Sequence, residues 1–185
     1  GGKFDKDKGG AYSFSGGLHG VGVSVTNALS KRLEVTSYRE GMVARLVFSG
    51  GDVIEKLHVR QADLSGGGDR KLGTTVRAWP DAKYFESSAL PMAELTHLLR
   101  SKAVLMPGVT VTLTIEKTKE TQTWLYKGGL RDYLMQTLTG DPVIPMFEGD
   151  GYADAAHDSF AEGEGAEWCV AFTEDGQPVR ESYVN

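Results

Sequence analysis

Cysteine is scarce in this sequence, and its scarcity limits how the fold is held together. The 185 residues contain one cysteine, Cys169, so no disulfide forms within the chain. A chain with so little cysteine suits a reducing compartment, and we expect a cytoplasmic protein. Cys169 and the four histidines show no metal-ligand spacing, so the sequence predicts no zinc site.

Long hydrophobic runs are also missing. No apolar run approaches the roughly 18 residues that span a bilayer, so we expect no membrane-spanning segment and no membrane partner. Hydrophobic residues make up 40% and charged residues 24%, which is typical of a soluble globular protein. The chain opens without methionine and closes on Glu181-Ser-Tyr-Val-Asn185, which is typical of the middle of a strand. We therefore expect an internal piece of a longer protein.

Basic residues are nearly absent from the last quarter of the chain. Residues 141–185 hold 11 acidic residues and one basic residue, Arg180. The net charge of the whole chain is −5, so residues 1–140 carry a net charge of +5. The acidic stretch around residues 150–167 predicts a solvated surface loop.

Hydrophobic periodicity predicts both helices and strands. Helical spacing of apolar residues is present in three segments: 21–29, 92–106 and 130–138. Strict alternation predicts two strands: 42–48 and 109–115. A turn at 117–120 leads from the second strand to a partner at 123–126. This mixture predicts an α+β fold in which a sheet is covered on one face.

Glycine, by contrast, is abundant, with 24 residues or about 13% against an average near 7%. Four glycines lie within seven residues, at 16, 17, 20 and 22, and a predicted helix follows at once. Bare backbone lets an anion approach, and a helix N-terminus offers free amides. The glycine-rich segment, residues 15–25, therefore predicts a phosphate cradle.

Two common phosphate motifs do not fit this segment. The mononucleotide P-loop needs a lysine where Val23 stands. The dinucleotide motif needs a glycine or alanine where Val25 stands. A glycine-rich helix entry used only for close packing remains an open alternative, and His19 alone is more often a structural hydrogen-bond donor than a base.

Several motifs in the chain resemble the ATPase (B) subunits of bacterial type II DNA topoisomerases. Residues 15–25 and Asn27-Ala-Leu-Ser30 are similar to the triphosphate loop and helix of this family. Other similar segments follow in the same order: Gly1-Gly-Lys-Phe4, Arg39-Glu-Gly41, Gly73-Thr-Thr-Val-Arg77, Trp79-Pro-Asp81 and Glu181-Ser-Tyr-Val-Asn185. Residues 98–109, 122–124 and 128–135 resemble topoisomerase IV more than DNA gyrase.

The resemblance implies a two-layer sandwich of the gyrase, chaperone, histidine-kinase and MutL ATPase type. Residues 1–139 would be the C-terminal half of that ATPase domain. Residues 140–185 would begin a transducer domain with a fold like ribosomal protein S5. The parent enzyme would couple ATP to DNA strand passage, decatenation and relaxation. It would work with the A subunit of topoisomerase IV, with DNA bound through the complex, and with a homodimer of B subunits that forms on ATP binding.

Individual site residues are implied by the same resemblance. The loop from Gly17 to Val23 would wrap the triphosphate, with Lys3 of the lid near the phosphates. Thr74 would line the adenine pocket and hydrogen-bond to the base, partly through water. Arg39 would lie at the rim, where coumarin-type inhibitors bind in this family. Without the resemblance, Thr74 is a sheet-face threonine and Arg39 a solvated strand-end arginine.

The family's catalytic groups fall outside this sequence. Its general base, its magnesium-binding asparagine and its adenine-reading aspartate would precede Gly1, and its γ-phosphate lysine would follow Asn185. We therefore expect ATP and Mg²⁺ as cofactors, name no catalytic or metal-binding residue here, and expect the chain alone not to hydrolyse ATP. Ser13 stands where gyrase has a second lid lysine, and Ala78 stands where the family pattern has an aromatic residue. The B subunit of DNA gyrase and a non-enzymatic module of the same fold remain alternatives.

Overall fold

The computed structural model describes residues 21–65, 68–87, 89–155 and 163–183, and it divides the chain into two compact units. The units are Gly1–Leu90 and Pro91–Asn185. Each combines helices with antiparallel strands, which confirms the α+β class. Within the described ranges, no helix has the length and apolar character needed to cross a membrane. The domain boundary expected after residue 139 falls inside the second unit and stays a prediction.

In its described residues, the first unit has one α-helix followed by a four-stranded antiparallel sheet. Its elements are α1 (Gly22–Ala28), β1 (Ser30–Arg39), β2 (Met42–Ser49), β3 (Asp52–Gln61), β4 (Gly73–Pro80) and a 3₁₀ turn (Ala82–Tyr84). The strand order is β3-β2-β1-β4. Helix α1 contacts β1, β2 and β4. The helix predicted near residues 21–29 and the strand predicted at 42–48 are thereby confirmed.

Two short turns set the register of this sheet. Glu40 and Gly41 join β1 to β2 with φ angles of 53° and 73°, and Gly50 and Gly51 join β2 to β3 with φ angles of 55° and 99°. Positive φ at both central residues is the geometry of the two-residue hairpin whose twist matches that of the strands. A turn of fixed length leaves no freedom to slip the pairing by one residue.

Direct pairing then divides the side chains between two faces of the sheet. The apolar face carries Leu33, Val35, Ser37 and Arg39 on β1, Met42, Ala44, Leu46 and Phe48 on β2, and Thr74, Val76 and Ala78 on β4. The charged face carries Arg32, Glu34, Thr36 and Tyr38 on β1, Val43, Arg45 and Val47 on β2, and Thr75 and Arg77 on β4.

Burial on β2 differs from what the alternation at 42–48 suggests. The fully buried side chains are Val43 and Val47, which lie on the charged face, whereas Met42 on the apolar face is 39% exposed. Val47 pairs directly with Glu34 on one side and Glu55 on the other. Long charged side chains can cover apolar surface with their stems, and the ion-paired side chains beside Val47 are of this kind.

The ion pairs above Val47 form a closed group of four. Arg32 Nε lies 2.7 Å from Glu34 Oε1, and Arg32 Nη2 lies 3.3 Å from Glu55 Oε1. Arg45 Nη1 lies 2.6 Å from Glu55 Oε2, and Arg45 Nη2 lies 3.4 Å from Glu34 Oε1. The Arg32 guanidinium lowers the pKa of Glu34, and the Arg45 guanidinium lowers the pKa of Glu55. A network of this kind is better evidence of stabilisation than isolated surface pairs.

A second ion pair fastens the segment after β3. Arg60 Nη1 lies 2.6 Å from Asp69 Oδ2, and Arg60 Nη2 lies 2.9 Å from Asp69 Oδ1, a bidentate arrangement. The backbone N–H of Asp63 donates to the same carboxylate at 2.8 Å. The guanidinium, followed by this amide, lowers the pKa of Asp69 to about 2.

We predict an acid-dependent loss of stability from Asp69. Its folded pKa is below the unfolded value near 3.9, so its stabilisation is present above about pH 4 and disappears as the pH falls toward 2. Asp69→Asn should lower the thermal midpoint at pH 7 and reduce its decline between pH 4 and 2. Asp52→Asn on β3 is the control. If the midpoints of Asp69→Asn and the unaltered chain ran parallel across this range, the assignment would be wrong.

The second unit consists of two helices and two hairpins. Its elements are α2 (Met92–Leu105), β5 (Val111–Ile115), β6 (Glu120–Trp124), α3 (Gly129–Thr137), β7 (Phe147–Tyr152) and β8 (Gly165–Val170). Strands β5 and β6 pair with each other, as do β7 and β8. The two helices and β5 confirm the predictions, and a hairpin partner does follow, but β6 begins at Glu120 and ends at Trp124, earlier than the predicted partner at 123–126. The strand expected at 181–185 is wrong for residues 181–183, which pair with no strand in the described part of the chain.

Tyrosines hold residues 181–183 instead. The core of this unit contains Ala103, Val104, Tyr126 and Tyr133. The Tyr133 hydroxyl donates to Glu181 Oε1 at 2.7 Å, and the Tyr183 hydroxyl donates to Glu181 Oε2. Burial raises the pKa of Glu181, but these two hydroxyls, with the nearby charges of Arg100 and His97, bring it below its usual value.

We predict that Tyr133→Phe destabilises the second unit. It removes a hydrogen bond between a buried tyrosine, which is 6% exposed, and a charged carboxylate, so we expect a loss of about 1–2 kcal/mol in the free energy of unfolding. Tyr152→Phe is a matched control, because Tyr152 donates to Glu167 at an exposed position and should lose much less. Urea unfolding measures both variants. Equal losses in both would contradict the role given to Tyr133.

Candidate functional site

The residues expected at the site separate into two groups. Five lie outside the described residues: Lys3, Gly17, Leu18, His19 and Gly20. Five are described, and all belong to the first unit: Val21, Gly22, Val23, Arg39 and Thr74. The described group occupies two places, the start of α1 and the apolar face of the sheet.

Helix α1 begins at Gly22 with open space beside its first turn. The carbonyl of Val21 accepts the first intrahelical bond, from the Val25 N–H at 2.9 Å. The N–H groups before it have no partner within the helix. A Cβ added at Gly22 would meet no described atom within 4 Å, and Gly22 is not in the left-handed region. Neither packing nor backbone conformation among the described residues requires glycine here, so the close-packing alternative loses support.

Three hydrogen bonds fasten α1 to the sheet. The Asn27 side-chain amide donates to the carbonyl of Gly51 at 3.2 Å. The Ser30 hydroxyl donates to the carbonyl of Thr26 at 2.6 Å, and the Asp81 N–H donates to the carbonyl of Leu29 at 2.9 Å. The start of α1 therefore has a fixed position relative to β1 and β4. Asn27 serves this attachment.

Thr74 and Arg39 come together on the apolar face. Thr74 on β4 pairs directly with Ser37 on β1, and Arg39 follows two residues along the same strand. Residues two apart on a strand share a face, so the threonine and the arginine lie at the same end of the same surface. The Arg39 Nε lies 2.9 Å from Glu40 Oε1 in an exposed pair.

The surface around Thr74 is apolar and open. Val35 pairs with Val76, which is 49% exposed, and Ala44 pairs with Val59, also exposed. An apolar lining with a few polar groups that fix orientation is the usual composition of a small-molecule site. Ser37 belongs to the apolar strip around Thr74. Sequence reasoning missed it, although its two-residue spacing from Arg39 was a usable signal.

A metal centre was not expected here. The described residues contain no cluster of three or more histidine, cysteine, aspartate or glutamate side chains that could hold a metal ion.

Comparison with known proteins relates the chain to a family along its whole length. The B subunit of DNA topoisomerase 4 from Escherichia coli is 41% identical over 188 residues, which cover 100% of this chain and 28% of that protein. Its counterpart from Pseudomonas aeruginosa is 39% identical over 186 residues, with the same coverage. The B subunit of DNA gyrase from Haloferax volcanii is 44% identical over 149 residues, 78% of this chain and 22% of that protein. No protein-family model matches the chain.

Solved structures support the relationship at the level of the fold. The 43K ATPase domain of Thermus thermophilus gyrase B, in complex with an aminocoumarin, has a TM-score of 0.62 and 31% identity, covering 72% of this chain and 36% of that one. The topoisomerase IV ATP-binding domain of Francisella tularensis, in complex with a small-molecule inhibitor, has a TM-score of 0.56 and 34% identity. It covers 77% of this chain and 42% of that one.

These similarities define the class of the chain as part of an α+β domain of the type found in topoisomerase ATPase domains. More particularly, the chain belongs to the family of type II DNA topoisomerase B subunits, which includes those of topoisomerase IV and of gyrase. It spans about 28% of the length of the topoisomerase IV relatives that it matches.

We predict that Gly22 is required for ligand binding and not for folding. In the complete subunit, Gly22→Val should leave the thermal midpoint nearly unchanged, because its Cβ would meet no described atom within 4 Å, yet should abolish binding of a non-hydrolysable ATP analogue. Gly140→Val is a matched control, because its Cβ would also meet nothing within 4 Å. Calorimetry showing normal affinity in Gly22→Val would contradict the phosphate cradle.

Proposed function

We propose that this chain contributes the triphosphate loop and part of the adenine pocket to the B subunit of a topoisomerase IV. ATP binding and hydrolysis by that subunit would drive the passage of one DNA duplex through another, with decatenation and relaxation as outcomes. The main support is the position of Thr74 and Arg39, which were named from motifs in separate strands and lie on one open apolar surface. Topoisomerase IV relatives match the whole chain, which favours this enzyme over gyrase.

In this proposal the nucleotide uses both parts of the described site. The adenine ring packs on the apolar strip, and Thr74 hydrogen-bonds to its polar edge. The triphosphate is held by backbone amides from Gly17 to Val23, with Lys3 nearby. The free amides and positive dipole end at the start of α1 favour the negative charge there. Arg39 lies at the rim, where an inhibitor of the coumarin type would meet it.

Magnesium would neutralise phosphate charge in the bound nucleotide. We assign its ligand, the general base and the γ-phosphate lysine to segments of the subunit outside this sequence. The described residues offer no metal cluster of their own. The role of this chain is therefore to bind and orient the nucleotide.

The wider assembly follows from the same proposal. The B subunit would pair with the A subunit of topoisomerase IV in the cytoplasm, meet DNA through the full complex, and dimerise with a second B subunit when ATP binds. Residues 1–139 would close the ATPase domain, and residues 140–185 would begin the transducer domain with its fold like ribosomal protein S5. The B subunit of gyrase and a non-enzymatic interaction module are the alternatives.

One assay separates these three functions. The complete B subunit is combined with its partner A subunit, and the complex is supplied with supercoiled and interlinked circular DNA. We expect ATP-dependent decatenation and relaxation without the introduction of negative supercoils. Negative supercoiling would indicate gyrase, and partner binding that is independent of nucleotide, without any strand passage, would indicate the interaction module.

We predict that Thr74 contributes one hydrogen bond to the bound base. Thr74→Val removes the hydroxyl while keeping the shape, so affinity for a non-hydrolysable ATP analogue should fall by roughly three- to tenfold. Thr75→Val is the matched control, since Thr75 is the next residue but lies on the charged face. Calorimetric titration of the complete subunit measures both. The same affinity in the two variants would make Thr74 an ordinary strand residue.

A further inference from the structure

We propose that Ser37 is a second base-binding residue, which acts with Thr74 as a single hydrogen-bonding unit. This inference rests on the proposed function, because it takes the apolar face as the surface on which the base lies. It extends that function to a residue on a different strand.

The pairing of β1 with β4 brings the two hydroxyls together. Ser37 and Thr74 are direct partners in the antiparallel register, and their side chains project from the same face. Directly opposed residues of this kind have Cβ atoms about 4.5–5.5 Å apart. At that separation, one ligand edge can reach both hydroxyl groups.

Neither hydroxyl is used elsewhere in the described structure. In the β5–β6 hairpin, opposed threonines hydrogen-bond to each other: Thr112 to Thr123 and Thr114 to Thr121, both at 3.2 Å. The structure shows no such bond between Ser37 and Thr74, nor one from either hydroxyl to another described group. Both oxygens therefore keep their capacity to donate and to accept.

The surroundings make this pair the polar part of an apolar strip. Ser37 has Ala44 as its partner on β2, and the next pair on the same face of β1 and β4 is Val35 with Val76. A flat aromatic ring can pack on the valines while its edge meets the hydroxyls. A purine edge that presents a donor beside an acceptor matches two neighbouring hydroxyls, because each hydroxyl rotates to supply either role.

The side chains of Thr74 and Ser37 differ in rotamer freedom, and this difference suits a joint role in binding the base. Thr74 is β-branched, so its χ1 rotamer is restricted and the position of its hydroxyl oxygen varies little. Ser37 has no second heavy atom on Cβ, so its hydroxyl adapts to the ligand. Thr74 orients the base, and Ser37 completes the hydrogen bonding on the side of β1.

A double-mutant cycle in the complete subunit tests the inference. Calorimetry measures the affinity for a non-hydrolysable ATP analogue in Ser37→Ala, in Thr74→Val and in the double variant. Each single change should weaken binding by roughly two- to tenfold, and the double change should weaken it by less than the product of the two. Ser37→Thr keeps a hydroxyl and should bind more tightly than Ser37→Ala.

The opposite face supplies a matched control cycle. Thr36 and Thr75 form the adjacent hydroxyl pair of the same two strands, but they lie on the charged face. Valine at either position, or at both, should leave the affinity unchanged. The thermal midpoint of every variant shows whether the sheet has kept its fold, and Ser37→Thr provides the comparison if alanine destabilises it.

The outcomes distinguish a failure of this inference from a failure of the proposed function on which it rests. If Thr74→Val weakens binding and Ser37→Ala does not, the inference is overturned and the proposed base site stands. If neither change weakens binding, the base site itself is wrong. Independent effects that multiply in the double variant would overturn the joint action of the two hydroxyls.

Discussion

The two-residue turn at Glu40 and Gly41 determines which face of the sheet each residue of β1 and β2 occupies. It sets Arg39 opposite Met42, and every later pair follows from that one. A slip of one residue would exchange the two faces of β2 relative to β1. Arg45 would then leave the side that carries Glu34, and the ion pairs of the charged face would be lost together with the apolar strip. Glu40 has a strained backbone, with a positive φ of 53°, and the arrangement of both faces of the sheet depends on the turn that it forms.

The charged face carries an ion-pair network that joins three strands of this small sheet. Arg32 and Arg45 each reach both Glu34 and Glu55, so the network links β1, β2 and β3 around Val47, which is fully buried. Long charged side chains can cover apolar surface with their stems, which is consistent with the burial of Val47 between its partners Glu34 and Glu55. On the apolar face Leu33 is buried, whereas Met42 is 39% and Val76 is 49% exposed, so that face is only partly covered.

Sequence periodicity was sufficient to predict an element where residues close in the sequence determine its structure. Helix α2 and strand β5 fall at the predicted places because their apolar residues repeat with a single period that no long-range contact overrides. The burial of β2 could not be predicted, since alternation within one strand does not show that Val43 and Val47 share a face with ion pairs formed between different strands. Residues 181–183 were expected to be a strand, but the hydroxyls of Tyr133 and Tyr183 hold Glu181 instead.

The candidate site was less accessible to sequence reasoning than the fold. A threonine on a strand carries no chemical signal, so Thr74 and Arg39 were named only through resemblance to the topoisomerase family. Ser37 lies 37 residues before Thr74, and only the register of β1 against β4 places them side by side. Periodicity assigns a face within one strand, whereas a site assembled from two strands also needs their relative alignment.

The attachment of α1 links the two halves of this site. Ser30, which is 2% exposed, is the first residue of β1, and its hydroxyl bonds back to Thr26 in α1. The Asp81 N–H, just beyond β4, bonds to Leu29 at the end of the same helix. The helix at the end of the predicted phosphate loop is thus fastened to both strands that carry Ser37 and Thr74. In the proposed function, this attachment would fix the separation of the two parts of the site, so a nucleotide bound at one part would already be aligned with the other.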